Sequence, residues 1–326
     1  ISGIGAAVLL EKNHADVVLY DSSDKLTGED LKAKLPEGSR AACIAGELPE
    51  NVELSIQAAV LSPGVPTDIP LVNRMRDRGV QILGEIELGF LAEQGRVIAI
   101  TGTNGKTTTT TLTGEIMKAH FGKDKTFVVG NIGNPYTLEA DKTSKDSVTV
   151  GEISSFQLET IHTFHPVVSA ILNITPDHLN RHHTMEAYVA AKEAVASQQT
   201  KADICVLNYD NDYTRDFAGR CPATPVLFSS HQELENGYFL RGDKIIKSVN
   251  GEEHELMDIH KDMNLVGLCN VENVMAAIAI ADPAWEAFAS VATVQVAAST
   301  VLSALLVPFI TTWWAKKFGC PKYPKQ

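Results

Sequence analysis

Residues 101–107 read TGTNGKT, a glycine-bracketed turn followed by a lysine and a run of threonines that ends only at Leu112. Gly102 and Gly105 would let backbone N–H groups converge on an oxyanion, and a helix beginning at Lys106 would point its positive dipole end at the same place. Lys106 can then reach terminal phosphates, while Thr107 offers a hydroxyl to a magnesium ion. The chemistry is that of a triphosphate cradle, with Thr103, Asn104 and Thr108 lining it. The general pattern GxxxxGK[ST] nevertheless fails, because Ile100 stands where it needs a glycine. The bland alternative is a threonine-rich turn.

Two further groups have the right types at the right places. Glu152 follows the apolar run SVTVG, so its carboxylate can sit at a strand's C-terminal end facing phosphates, and Asp177 and His178 follow VVSAILNIT in the same way. His182 and His183 are adjacent; neighbours on a loop point apart, so both read as solvated. Lys192, taken alone, reads as a solvated helix residue.

Such side chains need strands to deliver them. RVIAI predicts a buried strand entering the quoted turn, with a helix from about Lys106 to Phe121. Later strands are expected at TFVV, SVTVGEIS, VVSAILNIT and ADICVLN, and helices at TMEAYVAAKEAVASQQ and NVENVMAAIAIA. TPVLFSS, GYFLRGDKII and KSVN read as short strands, which predicts an α/β domain over 94–281 with a mainly parallel sheet and an antiparallel edge. Upstream, Gly3 and Gly5 precede a helical pattern and a β-branched run closes at Asp21. This is half of a Rossmann-like signature whose first strand is missing. AACIAG and AAVLSPGVP repeat the strand-then-turn pattern, giving a Rossmann-like domain over 1–93.

A formal charge of −12 argues against a nucleic-acid partner, which would need clustered Lys and Arg. The 5 cysteines are scattered without CxxC spacing, which suggests reduced thiols in a cytoplasmic protein rather than a disulfide framework or zinc site. No basic segment followed by an apolar one opens the chain, so no signal peptide is expected.

The character changes at Asp282 and Pro283. Residues 287–315 contain no charged side chain, and Trp313 and Trp314 precede Lys316 and Lys317. That pattern fits a membrane segment with an interfacial belt, since about 20 apolar residues span a bilayer. A buried helix hairpin interrupted at Pro308 fits it as well. The tail over 282–326 is expected to be helical, and the residues leave the oligomeric state open.

TGTNGK[ST] is the ATP loop of the Mur ligases and folylpolyglutamate synthases. GNIGNP at 130–135, GEISSFQLE at 151–159, NITPDHLNRH at 173–182, YVAAK at 188–192 and CNVEN at 269–273 follow in Mur ligase order. With YDSS, LSPGV and GEIEL in the first domain, residues 1–281 resemble the Mur ligase branch that joins D-glutamate to UDP-N-acetylmuramoyl-L-alanine. Folylpolyglutamate synthases lack such a leading domain.

The resemblance implies an ATP-dependent amide ligase of peptidoglycan precursor synthesis, using two magnesium ions and passing through an acyl phosphate. By resemblance, Thr107, Glu152 and His178 bind magnesium, and Lys192 becomes an anionic metal ligand by carbamylation. Lys106, Glu152, His178 and Lys192 form the catalytic set, and Asn270 and Asn273 lie near the adenine. Ser2, Gly3, Asp21, Ser22, Ser62, Pro63 and Gly64 would hold the UDP-sugar, with Asn131, Ser154 and Gln157 near its reacting end. Cys269 stands where the family commonly has histidine, and Asn180 where aspartate often follows His178. After 282 the family's third domain is absent, and the tail instead resembles the C-terminal end of 2-keto-3-deoxygluconate permeases. An impaired ligase is expected on that account, or alternatively a noncatalytic nucleotide- or UDP-sugar-binding protein tethered to the membrane.

Overall fold

Val97, Ile98, Ala99 and Ile100 are all buried within the strand Arg96–Thr101, as an apolar run covered on both faces requires. The chain, seen in a computed structural model, is described over residues 2–288 except 264 and 266, with side chains as far as 282. It divides into two compact units. One comprises Ile1–Gly95, Val129–Lys145 and Ile153–Phe164; the other comprises Arg96–Val128, Asp146–Glu152 and the chain from His165.

In chain order the strands are β1 (Val18–Asp21), β2 (Ala42–Ala45), β3 (Ala58–Leu61), β4 (Gln81–Gly84), β5 (Arg96–Thr101), β6 (Thr126–Gly130) and β7 (Val148–Glu152). They continue with β8 (Val168–Ile171), β9 (Ile204–Asn208), β10 (Thr224–Ser229), β11 (Gly237–Arg241), β12 (Lys244–Val249) and β13 (Glu252–Asp258). The helices are α1 (Ser2–Lys12), α2 (Gly28–Lys32), α3 (Glu50–Ser55), α4 (Pro70–Asp77), α5 (Glu85–Ala92), α6 (Lys106–Phe121) and α7 (Tyr136–Glu139). After them come α8 (Ser155–Leu158), α9 (Leu179–His182), α10 (Met185–Glu193), α11 (Asp212–Ala218), α12 (Ile259–Asp262) and α13 (Leu268–Phe288).

The second unit is built on a sheet of order β13-β12-β11-β10-β9-β8-β5-β7-β6. Its strands run parallel from β11 through β7. The expected antiparallel edge is present, with β11, β12 and β13 paired antiparallel in turn. Helices α6 and α13 pack together, and Met117 and Met275 are fully buried in the core that they share with the strands. Burial of this apolar surface, at about 25 cal/mol per Å², is what holds β5 and α6 in register.

In the first unit the parallel pairing appears as two separate ladders, β1 with β2 and β3 with β4. Gly3 and Gly5 lie inside α1 rather than before it. The reason at Gly5 is packing, because a Cβ there would meet Thr137 Oγ1 at 2.5 Å. Two buried carboxylates on α5 gather distant segments into this unit. Glu85 accepts from Thr137 N at 2.8 Å and Thr137 Oγ1 at 2.7 Å, and burial raises its pKa against those bonds. Glu87, 1% exposed, accepts from His162 N, Thr163 N, Thr163 Oγ1 and Phe164 N at 2.5–3.1 Å. A buried carboxylate is tolerated only when so satisfied.

The backbone of α13 stays helical through Pro283 to Phe288, past the point where the sequence changes character. Among the described residues no helix is long and apolar enough to cross a membrane. The expected membrane segment 287–315 lies, but for its first two residues, outside the described residues.

Candidate functional site

The turn after β5 is a cradle closed by left-handed glycines. Gly102 has φ 152° and Gly105 has φ 85°, a region that glycine enters without a Cβ clash. Both are also crowded: a Cβ on Gly102 would come 3.0 Å from Leu172 Cβ, and one on Gly105 would come 2.2 Å from Asn273 Oδ1. The threonine run belongs to α6 rather than to a loop, with Thr109, Thr110 and Thr113 buried. Thr111 Oγ1 donates back to Thr107 O at 2.7 Å, one turn earlier, as a β-branched hydroxyl residue commonly does in a helix.

The exit of β8 staples the turn in place. Thr103 N donates to Asn173 O at 2.9 Å, Asn104 N to Asn173 Oδ1 at 2.8 Å, and Asn173 Nδ2 returns to Asn104 O at 3.1 Å. Lys106 Nζ folds onto its own turn, donating to Gly102 O and Thr103 O at 2.9 Å each. Burial pulls its pKa below the usual lysine range, while Glu152 and Asp177 work the other way. Lys106 thus lies in the field of both acids singled out from strand ends.

Thr107 Oγ1 donates to Glu152 Oε2 at 2.9 Å, and Glu152 is 1% exposed at the C-terminal end of β7. Lys192 is 2% exposed, not solvated as its helix pattern alone suggests. Its Nζ donates to Gly102 O at 2.8 Å and stands 4.7 Å from the centroid of the Tyr188 ring. Burial, then the neighbouring charge of Lys106, lowers its pKa to about 7, with Asp177 opposing.

His178 sits at the N-cap of α9 with φ 52°; its N–H donates to Asp177 Oδ1 at 2.8 Å, and its ring centroid is 6.4 Å from that of Tyr188. His182 corrects the expectation of a solvated histidine. It is 7% exposed and its ring lies 5.1 Å from that of Tyr188, in a short helix flanked by left-handed His178 and His183.

Asn273 lies beside the cradle, accepting from Thr109 Oγ1 at 3.4 Å, and its Nδ2 reaches Asn270 Oδ1 at 3.4 Å. The residues expected at ATP therefore come together from β5, α6 and α13, and Thr108 follows on α6. Asp210, His231 and Glu272 form a group that sequence reasoning did not single out, with possible ligand atoms all within 4.8 Å of one another. They come from three separate elements, so no spacing announces them. Ser230 Oγ lies 2.6 Å from Glu272 Oε1 and 3.3 Å from Asp210 Oδ2.

In the first unit, Ser2 Oγ donates to Ser62 Oγ at 3.1 Å, and Gly3 lies against both Ser62 and Leu19. Asp21 closes β1 and accepts from Ser23 N at 2.9 Å, with Ser22 exposed between them. Ser62, Pro63 and Gly64 follow the end of β3. These seven residues thus come from the start of α1 and from the C-terminal ends of β1 and β3. Asn131 is exposed. Ser154 and Gln157 face each other as a capping box on α8, with Gln157 Oε1 accepting from Ser154 N at 2.8 Å and Ser154 Oγ at 2.9 Å.

The residues fit a magnesium nucleotide. Two left-handed glycines have no room for side chains, the first turn of α6 carries no acid, and a hydroxyl and a carboxylate stand together as hard oxygen donors.

Residues 100–281 match the family described as "Mur ligase middle domain", and residues 269–320 match "2-keto-3-deoxygluconate permease". The chain is 52% identical over 280 residues to UDP-N-acetylmuramoylalanine--D-glutamate ligase of Lachnospira eligens, and 44% identical over 282 residues to the ligase of that name from Clostridioides difficile. Each match covers 86% of this chain and 61% of the relative, so the chain spans about three-fifths of the length of these curated relatives. Among solved structures, UDP-N-acetylmuramate:L-alanyl-gamma-D-glutamyl-meso-diaminopimelate ligase from Neisseria meningitides matches at 14% identity and TM-score 0.52, covering 89% of this chain and 95% of that one. UDP-N-acetylmuramate-alanine ligase from Thermotoga maritima matches at 21% identity and TM-score 0.50, covering 87% and 63%. These structures share the fold. With the matched domain spanning more than half of its residues, the chain belongs to the Mur ligase family.

Proposed function

We propose that this chain carries the nucleotide- and UDP-substrate-binding residues of an ATP-dependent ligase that adds D-glutamate to UDP-N-acetylmuramoyl-L-alanine, in the cytoplasm, during peptidoglycan precursor synthesis. The observation that carries the reading is the cradle of Gly102–Thr107 at the head of α6, with Thr107 bonded to Glu152. The 52% identity to a D-glutamate ligase supports the choice of amino acid.

In this reading, backbone N–H groups of the turn and the N-terminus of α6 hold the triphosphate. Lys106 leaves the carbonyls of Gly102 and Thr103 and pairs with the terminal phosphate. Thr107, Glu152, His178 and a carbamylated Lys192 hold magnesium, which when bound supplies positive charge to the phosphoryl oxygens. Lys192 suits carbamylation because its nitrogen, with a pKa of about 7, is substantially neutral near neutral pH and can attack carbon dioxide. Lys106 stabilises charge on the transferring phosphoryl group as the substrate carboxylate attacks it and ADP departs. D-glutamate nitrogen then attacks the acyl carbon, phosphate leaves, a proton is lost, and an amide remains. Asn270 and Asn273 offer amides to the adenine edge. Ser2, Gly3, Asp21, Ser22 and Ser62–Gly64 hold the UDP-sugar, with Asn131, Ser154 and Gln157 toward its reacting end.

Calorimetric titration with magnesium ATP tests the cradle. Lys106→Ala is expected to weaken binding by at least about tenfold, the value of a charge-assisted hydrogen bond. Equal affinities would refute the assignment. D-glutamate-dependent phosphate release tests the ligase chemistry, and binding without turnover would reduce the reading to nucleotide recognition.

A further inference from the structure

Tyr188 has no role in the reaction described above, yet it touches Lys192 and His178, two of the side chains that do, and Thr103 of the nucleotide turn. It lies four residues before Lys192 on α10, so the two share one face of the helix. Its ring is buried, with Lys192 Nζ over one face at 4.7 Å, the His182 ring tilted at 5.1 Å and the His178 ring edge-on at 6.4 Å. Its hydroxyl lies 3.1 Å from Thr103 Oγ1, in the nucleotide turn.

Thr103 Oγ1 also lies 3.2 Å from Thr175 O and accepts from Thr175 N at 3.0 Å. Either hydroxyl can supply the proton of the Tyr188–Thr103 bond, and whichever does, Thr103 joins Tyr188 to Thr175. Tyr188, Thr103 and Thr175 therefore form a chain from α10 through the turn to the segment that ends in Asp177 and His178.

Building on the proposed nucleotide site, we propose that Tyr188 is a positioning residue whose hydroxyl locks the Gly102–Gly105 turn to Lys192 and His178, so that turn and ligand side chains hold one arrangement. Lys106 and Lys192 reach the turn only through backbone carbonyls, which cannot report on its side chains.

Tyr188→Phe deletes only the hydroxyl and keeps the ring contacts. In the nucleotide-free protein, amide hydrogen exchange should quicken over 102–105 and 173–177, where Thr103 and Thr175 lose their lock, while 148–152 in β7 stays unchanged. With magnesium ATP, affinity should fall about threefold to tenfold, the value of one buried hydrogen bond. Thr103→Val, which also removes both bonds to Thr175, should lose at least as much, Tyr188→Phe should add nothing in that background, and Thr103→Ser should restore affinity. Unchanged exchange in Tyr188→Phe, or additive losses in the double variant, would overturn the inference. If the parent fails to bind nucleotide, the reading of the site falls, but the exchange comparison still decides whether Tyr188 locks the turn.

Discussion

Lys106 and Lys192 donate to the same oxygen, the carbonyl of Gly102, at 2.9 and 2.8 Å. Each is buried and so is pushed toward its neutral form, and the charge of Lys106 pushes Lys192 further. Lys192, the more buried, yields further. Burial, aided by the charge of Lys106, thus brings Lys192 toward the uncharged nitrogen that its proposed role needs.

Because the Lys192 pKa is depressed to about 7, its carbamate should form increasingly as pH rises through neutrality. Labelled bicarbonate and carbon NMR would show the signal, absent in Lys192→Ala. In Lys106→Met the repelling charge is gone, which favours the ammonium, so the rise should move to higher pH. A rise at unchanged or lower pH would contradict the coupling.

Gly105→Ala should destabilise the second unit by more than about 1 kcal/mol, since the new Cβ meets both an unfavourable φ and Asn273 Oδ1 at 2.2 Å. Denaturant unfolding measures this. Adding Asn273→Ala makes room but leaves φ strained, so only part of the stability should return.

Glu152→Gln should weaken nucleotide binding in magnesium while leaving binding in excess chelator nearly unchanged. The amide still reaches Thr107 Oγ1 but no longer supplies a negative oxygen. Calorimetry with and without magnesium separates the cases, and equal losses in both would point to a structural role.

Glu53 is held by Arg74 and Arg78, whose guanidinium groups lower its pKa to about 2 from an ordinary 4.5. The unfolded chain therefore binds the proton first as pH falls, so the stabilisation is full above about 4.5 and disappears toward 2. The gap in melting temperature between the parent and Glu53→Gln should be widest above pH 5 and close near pH 2. A gap independent of pH would sink this assignment.

The cradle was legible because its chemistry is local: strand, glycines, lysine and helix follow within a dozen residues, and apolar periodicity fixes where β5 stops. Glu152 and Asp177 were legible as acids ending apolar runs. Lys192 was not, since a lysine on a helix reads as solvated until the elements around it are known. His182 differs from expectation for a related reason, as its burial comes from packing against Tyr188 on a different element. Strand β13 escaped notice because EEHELMD is charged and exposed over its first half, as befits an outer strand that must discourage further pairing.

The carboxylate of Glu87 has each oxygen occupied twice: Oε2 by the amides of His162 and Phe164, Oε1 by the amide and hydroxyl of Thr163. Replacing it by glutamine would aim an NH2 either at the two amides of His162 and Phe164 or, flipped, at the amide of Thr163 and a hydroxyl that would have to turn to accept. The gentlest exchange by size is therefore the harshest by polarity, and position 87 discriminates between shapes that differ by one heteroatom.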